Sequence, residues 1–423
     1  MEDRKAPLLT PEQEAALEVL LDADKDKATD ALVGPAGSGK TTVIRALRQR
    51  LGSDRCVVLC PTHKARAVVS AGLPDARTAT VAATLRLRLS IDGDSVLIKF
   101  NPSKATPDAA GFLQEGRPPA ALILDEASMV EGSNVYALES LAGRLGASLL
   151  LVGDDAQLPP ISAAARGVSG SDAMARQFTS NDRTARLETV MRTGDGPVLQ
   201  LSRAIRYSPD LRAVWPTESQ HSGTSRICLY QWENAWLSSA CAAFKTGKWA
   251  ADPDYARVLC WTQRESQRLG ALIGRHQHPA SHDTWHQGEW LVAPSGVPQL
   301  GKPLGNPIAP ACAEFKILNI ELPQTITKTT GAFTWHTPVK RQERTAEIKA
   351  TTRASVVTVQ HNDKQLELLL EPPDQLGSWL SQCKELRRLV KAKFNGSSAD
   401  RYALFKYIAE LECNGPALLQ TSV

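Results

Sequence analysis

The chain has 423 residues, of which 42% are hydrophobic and 22% charged, and a formal net charge of +4. That length allows two or three domains with a sizeable core, and the balance is that of an ordinary soluble globular protein whose slight basic excess permits a polyanionic partner without requiring one. The eight cysteines have no C-x-x-C pair, the N-terminus carries acids and a proline where a signal peptide would need an uninterrupted apolar stretch, and no apolar run nears the roughly 18 residues of a membrane span. The expectation is a protein with reduced thiols and no membrane partner, cytoplasmic in a bacterial or phage-type setting.

In chain order, the first 200 residues alternate helical patterns with short apolar runs. EQEAALEVLLDA predicts a helix, DALVG a strand, KTTVIRALRQRL a helix, CVVLCP a strand and KARAVVSAG a helix; AALILDE, NVYALESLAGRL and SLLLVGD then give strand, helix, strand. Strands this short and apolar suit a parallel sheet buried on both faces, which makes the class α/β and doubly wound. Between Leu87 and Pro119 the rhythm breaks into SIDGDSVLIKF and a Pro/Gly-rich stretch, which predicts an inserted hairpin turning at Asp92-Gly93. A helical segment is expected after Leu187, irregular chain to about Ser225, a strand over residues 255–261 and then the helix RESQRLGALIGRH. From about Gln287 to Leu370 the runs EWLVAP, EFKILNIELP, RASVVTVQ and KQLELLLEP predict an all-β region. WLSQCKELRRLVKAKF and RYALFKYIAELE return to helix, and NGPALLQTSV closes the chain as a turn and a short apolar strand.

Gly34-Pro35-Ala36-Gly37-Ser38-Gly39-Lys40-Thr41 matches G-x-x-x-x-G-K-[ST] between a predicted strand and a predicted helix, the context a phosphate loop requires. Its glycines let backbone N–H groups close round phosphate oxygens at a helix N-terminus. Residues Gly34 to Thr42 are therefore the candidate binding loop for ATP, with Lys40 reaching the β- and γ-phosphates and Thr41 ligating Mg²⁺. Such a loop needs an acidic partner at the end of a neighbouring strand, and Asp125-Glu126 after Leu122-Ile123-Leu124 supplies one. Asp125 is the second metal residue and Glu126 the group that polarises the attacking water. In Leu150-Leu151-Val152-Gly153-Asp154-Asp155-Ala156-Gln157-Leu158-Pro159-Pro160 a Gly-Asp turn presents Gln157, whose amide both donates and accepts, as a sensor of nucleotide state.

These segments resemble the superfamily 1 DNA helicases, specifically the RecD-like branch. GPAGSGKTT is similar to its motif I, ILDEAS to motif II and VGDDAQLPP to motif III. Pro61-Thr62-His63-Lys64-Ala65 resembles motif Ia, which in the family lies on single-stranded DNA, and Thr10-Pro11-Glu12-Gln13 resembles the opening segment whose Gln, here Gln13, reads adenine. Glu188-Thr189-Val190-Met191-Arg192 is similar to motif IV, with Met191 where the family commonly has an aromatic; Arg192 would touch the γ-phosphate.

The resemblance is most specific over residues 10–192 and implies tandem RecA-like parallel sheets with a small β-barrel insertion in the second. The expected division is 1–204 for the first RecA-like domain, with 87–118 as a duplex-splitting pin, 205–286 for the start of the second, 287–375 for the barrel-like insertion and 376–423 for an incomplete return to the second. It implies a monomer acting on single-stranded DNA and duplex junctions with 5′-to-3′ movement, and roles in DNA replication, repair or recombination.

The DNA path has softer signals. Thr62, His63 and Lys64 start a helix after a strand, so their side chains and N–H groups are placed to meet phosphates, an ordinary helix N-terminus being the lesser reading; Arg86 and Arg88 equally suit a solvated strand face, and the basic run over residues 384–394 reads better as a solvated amphipathic helix. Motifs V and VI are not found after the β-rich region, and ALLQTSV is expected to be the buried strand leading into motif V. Two readings follow: an ATP-dependent helicase without its last motifs, or a nucleotide-switched single-stranded DNA-binding protein that does not translocate. A P-loop ATPase of another kind is a third.

Overall fold

Apolar residues at every position of a strand require cover on both faces, and the first part of the chain is built on that demand. The computed structural model describes residues 8–26, 29–85, 87–92, 95–99, 118–157, 160, 184–191, 196–208, 210–252, 255–260, 262–279, 284–293, 296–298, 308–309, 313–336, 342–394, 398–417 and 419–421. By internal packing the chain divides into two compact units, Met1–Leu229 and Tyr230–Val423.

In the first unit α1 (Pro11–Asp26) leads to β1 (Thr29–Val33), α2 (Lys40–Leu51), β2 (Cys56–Cys60), α3 (His63–Gly72), β3 (Arg77–Thr80) and the short α4 (Val81–Thr84). A hairpin of β4 (Arg88–Asp92) and β5 (Ser95–Lys99) precedes β6 (Ala121–Leu124), α5 (Gly132–Leu145), β7 (Ser148–Gly153) and β8 (Thr184–Arg186). Then come α6 (Pro197–Tyr207), α7 (Leu211–Val214) and a small hairpin of β9 (Gln220–Ser222) and β10 (Ser225–Ile227).

The sheet runs β3-β2-β6-β7-β1-β8 and every pairing is parallel. Alternate side chains go to opposite faces: Ala31, Val33, Leu122 and Leu124 join α5 in one core, while Leu32, Ala121 and Ile123 join α1 and α2 in the other. This is the doubly wound α/β sheet expected of a RecA-like P-loop fold.

The second unit holds α8 (Glu233–Lys245), α9 (Gln263–Gln277), β11 (Trp290–Val292), β12 (Glu314–Ile320), β13 (Gln324–His336), β14 (Glu343–His361), β15 (Lys364–Leu370), α10 (Ser378–Lys393), α11 (Ser398–Cys413) and β16 (Gln420–Thr421). Its sheet is antiparallel, in the order β13-β14-β12-β11-β16 with β15 also on β14. The long β14 serves two cores: its first part pairs with β13 in a ribbon packed on Trp379, Cys383 and Ile408, and its last part lies over Leu291, Phe315 and Leu370.

Several expectations need correcting. The helix expected after Leu187 is found at Pro197–Tyr207, while 187–191 runs without regular secondary structure beside the phosphate loop. Residues 255–260, expected as a strand, belong to no described ladder: Ala256 and Val258 pack on the α8–α9 pair while Leu259 on the opposite side is 93% exposed. The apolar end of the chain does not enter a parallel sheet; Leu419 is buried in the core of the antiparallel sheet and β16 pairs antiparallel with β11. In the inserted hairpin Asp92 pairs with Ser95; residues 93 and 94, on which the expected Asp92-Gly93 turn falls in part, and residues 100–117 lie outside the described residues.

Candidate nucleotide site

Parallel strands all present their carboxyl ends to one edge of a sheet, and ligands of such folds bind there. Strand order places β7 between β1 and β6, so the loop after β1, the turn after β7 and the acidic pair after β6 become neighbours in space. Register fixes their heights, with Val33 opposite Gly153 and Leu124 opposite Leu151. Two further bonds pin the exits, from the Gly34 N–H to the Gly153 carbonyl (3.1 Å) and from the Asp125 N–H to the Leu59 carbonyl (2.8 Å).

The loop closes tightly. Gly37 and Gly39 have φ of +80° and +90°, a region that side chains disfavour, and a Cβ on Gly39 would lie 2.2 Å from Gln13 Nε2. Gln13 itself is buried; its Oε1 accepts from the Thr10 N–H (3.1 Å) and its Nε2 donates to the Ser38 carbonyl (3.2 Å), so in this arrangement it braces the loop. Lys40 Nζ donates to the carbonyls of Gly34 (2.7 Å) and Pro35 (3.0 Å). Burial lowers its pKa, an effect opposed by the negative charges of Asp154, Glu126 and Asp125. Ala36 and Thr41 are exposed, Pro35 and Thr42 half-buried.

At the end of β6, burial raises the pKa of Asp125, against the Glu126 N–H and Lys40, which act to lower it. Burial raises that of Glu126 too, with the Asp125 charge adding to the effect. Glu126 also has φ +53°, a strained setting for a non-glycine residue and of the kind found at functional sites. A carboxylate with a raised pKa is the better proton acceptor, which suits Glu126 to orienting and activating water.

After β7, Asp154 is buried, its Oδ1 accepts from the Ala156 N–H (2.9 Å), and the Gln157 N–H donates to the Asp154 carbonyl (3.2 Å). This turn puts half-buried Gln157 on the edge that carries the loop. The motif IV segment passes alongside, with the Met191 N–H donating to the Gly37 carbonyl (2.8 Å) and the Glu188 N–H to Glu12 Oε1. Arg192 lies outside the described residues.

Sequence reasoning missed Arg206. From α6 its guanidinium bonds Asp154 and Asp155, and Asp155 also takes Arg186 (2.9 Å). A cleft of about 230 Å³ opens there, lined by Gly34, Pro35, Asp155, Arg186, Glu188 and Arg206 among others. Nothing local in RAIRY marks this role, since Arg206 stands 52 residues from Asp154.

Beyond β6 on the same edge, β2 leads into Pro61, Thr62, His63 and Lys64. Thr62 and Lys64 are exposed and Pro61 and His63 half-buried; the Thr62 hydroxyl caps α3 by accepting from the Ala65 N–H (3.1 Å), so it does a helix-terminus job whatever else it does. Burial lowers the pKa of His63, with Arg66 adding to the effect, which favours the neutral ring.

The donors and acids gathered on this edge suit a nucleotide and its metal ion. Ser38 Oγ is buried with no partner among the described residues, and Asp125 and Glu126 are carboxylates that burial leaves short of positive charge. A parallel sheet with such a loop at the end of one strand and an acidic pair two strands away defines a P-loop nucleoside triphosphatase. The chain belongs to the AAA-domain family AAA_30, whose model matches residues 8–220, half of its length. No curated protein matches the sequence.

Solved structures similar to this chain include several Pif1 helicases. One concerns unwinding at forked duplex DNA by two coordinating Pif1 helicases (14% identity over 86% of this chain and 76% of that one, TM-score 0.45). Others are Pif1 from Candida albicans (15%, 87% and 81%, 0.37) and from Bacteroides with ADP-AlF3 and single-stranded DNA (14%, 84% and 82%, 0.39). Among the described residues no helix is long and apolar enough to cross a membrane.

Proposed function

We propose that this protein is a superfamily 1 DNA helicase that couples ATP hydrolysis to movement on single-stranded DNA and to opening of duplex junctions. One observation carries the reading: along a single sheet edge the phosphate loop, the Asp154–Gln157 turn, the Asp125–Glu126 pair and the Thr62–Lys64 corner follow one another on adjacent strands. That order would let the chemistry at the first three be felt at the fourth, where DNA would lie.

In this reading Lys40 and the N–H groups from Gly34 to Thr42 hold the ATP phosphates, Gln13 reads the base, and Thr41 and Asp125 hold Mg²⁺, which when bound neutralises phosphate charge. Glu126 orients and activates water, while Gln157 and Arg192 sense the γ-phosphate. Pro61, Thr62, His63 and Lys64 contact single-stranded DNA, and the inserted hairpin over 87–118 splits the duplex. The chain would work as an intracellular monomer.

Steady-state ATP hydrolysis with and without single-stranded DNA tests the reading. Stimulation by DNA is expected. ATP turnover that ignores DNA would overturn it and leave a P-loop ATPase of another kind; ATP-dependent DNA binding without turnover would leave a nucleotide-switched binding protein.

A further inference from the structure

Four of the eight histidines in the chain fall within residues 276–286, a concentration the helicase reading does not use. Two of them, His278 and His286, converge with Glu289 in the second unit: one ligand atom from each of the three lies within 4.8 Å of the other two. The imidazole rings of His278 and His286 stack at 3.7 Å between centroids, and His278 Nε2 stands 3.7 Å from Glu289 Oε1.

Each of the three is fixed by the fold. His278 caps the C-terminus of α9, its N–H donating to the Gly274 carbonyl (2.8 Å). His286 and Glu289 face each other across a tight turn: the Glu289 N–H donates to the His286 carbonyl (3.2 Å), the His286 N–H to Glu289 Oε2 (3.0 Å), and Gly288 supplies φ +89°. Buried Trp285 anchors one side of the turn, donating from Nε1 to the Glu371 carbonyl (2.7 Å), and β11 anchors the other through fully buried Leu291. The Glu289 side chain is only 13% exposed, and among the described residues no Lys or Arg pairs with it.

We propose that His278, His286 and Glu289 bind a divalent transition-metal ion of the zinc class. Two imidazoles and one carboxylate are donors for Zn²⁺ and its first-row neighbours rather than for Mg²⁺ or Ca²⁺, and three protein ligands leave the fourth position to water. A tetrahedral zinc holds its ligand atoms about 3.4 Å apart, so the site closes by side-chain rotations on the order of 1 Å that unstack the two rings. Bound there, the ion clamps the end of α9 to the turn before β11.

The test uses the full chain, freed of metal with a chelator and equilibrated with Zn²⁺, its metal content then measured. The expected result is a single tightly held zinc that Mg²⁺ does not displace, with affinity reduced at least about 10- to 100-fold, the loss typical of even an outer partner, in His278→Ala and in Glu289→Gln. His276→Ala, on the exposed surface of α9, should retain it. Co²⁺ in place of zinc should give visible ligand-field bands without the near-ultraviolet band of thiolate ligation, which excludes the cysteines. Should Glu289→Gln fail to fold, His278→Ala at the half-exposed helix end decides. No uptake by the wild type overturns the site, as does uptake undiminished in the folded variants, which would mean an adventitious ion only.

Discussion

The guanidinium of Arg206 is hydrogen-bonded to the carboxylate of Asp154 in an ion pair whose side chains are 13% and 8% exposed. Asp154 also organises the turn that carries Gln157, so Arg206, which bonds Asp155 as well, ties α6 to the nucleotide edge. Removing the arginine strands a buried carboxylate, which typically costs about 3 kcal/mol or more. Arg206→Ala is expected to lower the stability of the first unit by about that much in urea unfolding, with Arg206→Lys intermediate because it cannot bridge Asp154 and Asp155 together. A loss below about 0.5 kcal/mol, the size of an exposed pair, would show that the contact does not persist in solution.

Lys40 and Glu126 should fail differently. Lys40→Ala removes the cation that faces the loop carbonyls and is expected to abolish both hydrolysis and tight nucleotide binding. Glu126→Gln keeps the shape but loses the proton acceptor, so turnover should fall by roughly 10²–10⁴ while nucleotide still binds. Fluorescent-nucleotide titration beside turnover separates the two; equal binding losses would contradict the assigned roles.

Glu126 also sets a pH dependence of stability. Its folded pKa is raised by burial and by the Asp125 charge, so the folded state holds the proton more firmly than the unfolded chain. Its favourable contribution is therefore complete below the unfolded value near 4.5 and is lost as pH rises through the folded value. Glu126→Gln removes that penalty. In metal-free buffer the variant should melt above the wild type at pH 7, with the gap closing towards pH 4.5. A gap independent of pH would mean that the carboxylate is solvated.

Gly39→Ala meets two separate obstacles, a φ of +90° and the Gln13 amide 2.2 Å from the new methyl. Pairing it with Gln13→Ala relieves the clash and leaves the backbone strain, typically about 1 kcal/mol or more. The loss of nucleotide affinity caused by Gly39→Ala should therefore be smaller in the Gln13→Ala background than in the wild type. An equal loss in both backgrounds would mean that Gln13 moves away freely.

DNA affinity should fall steeply with salt, since neutralised phosphates release counterions. Lys64→Ala should flatten the log–log slope by about 0.7, the value for one single-strand phosphate contact. An unchanged slope would remove Lys64 from the DNA path.

Much of this molecule was legible because its logic is local. The apolar run Ala31-Leu32-Val33 followed by GPAGSGKT reads as a strand that ends in a glycine-rich loop at a helix N-terminus, and ILDE as a strand end that delivers two acids. The ribbon of β13 and β14 was legible only in part: in β13 one residue of thirteen, Phe333, is fully buried, so TITKTTGAFTW carries no alternating apolar run. Residues 255–260 misled in the opposite way, since their pattern suits a strand while ladder partners depend on chain elsewhere.

The sequence by itself thus marked the phosphate-loop pattern and the acidic pair, because each is a short string of neighbouring residues. Tertiary structure decided what holds those residues in place and which other side chains it gathers. Arg206 reaches Asp154, and His278 reaches Glu289, only because packing brings separate elements together, and no periodicity along the chain encodes an encounter between them.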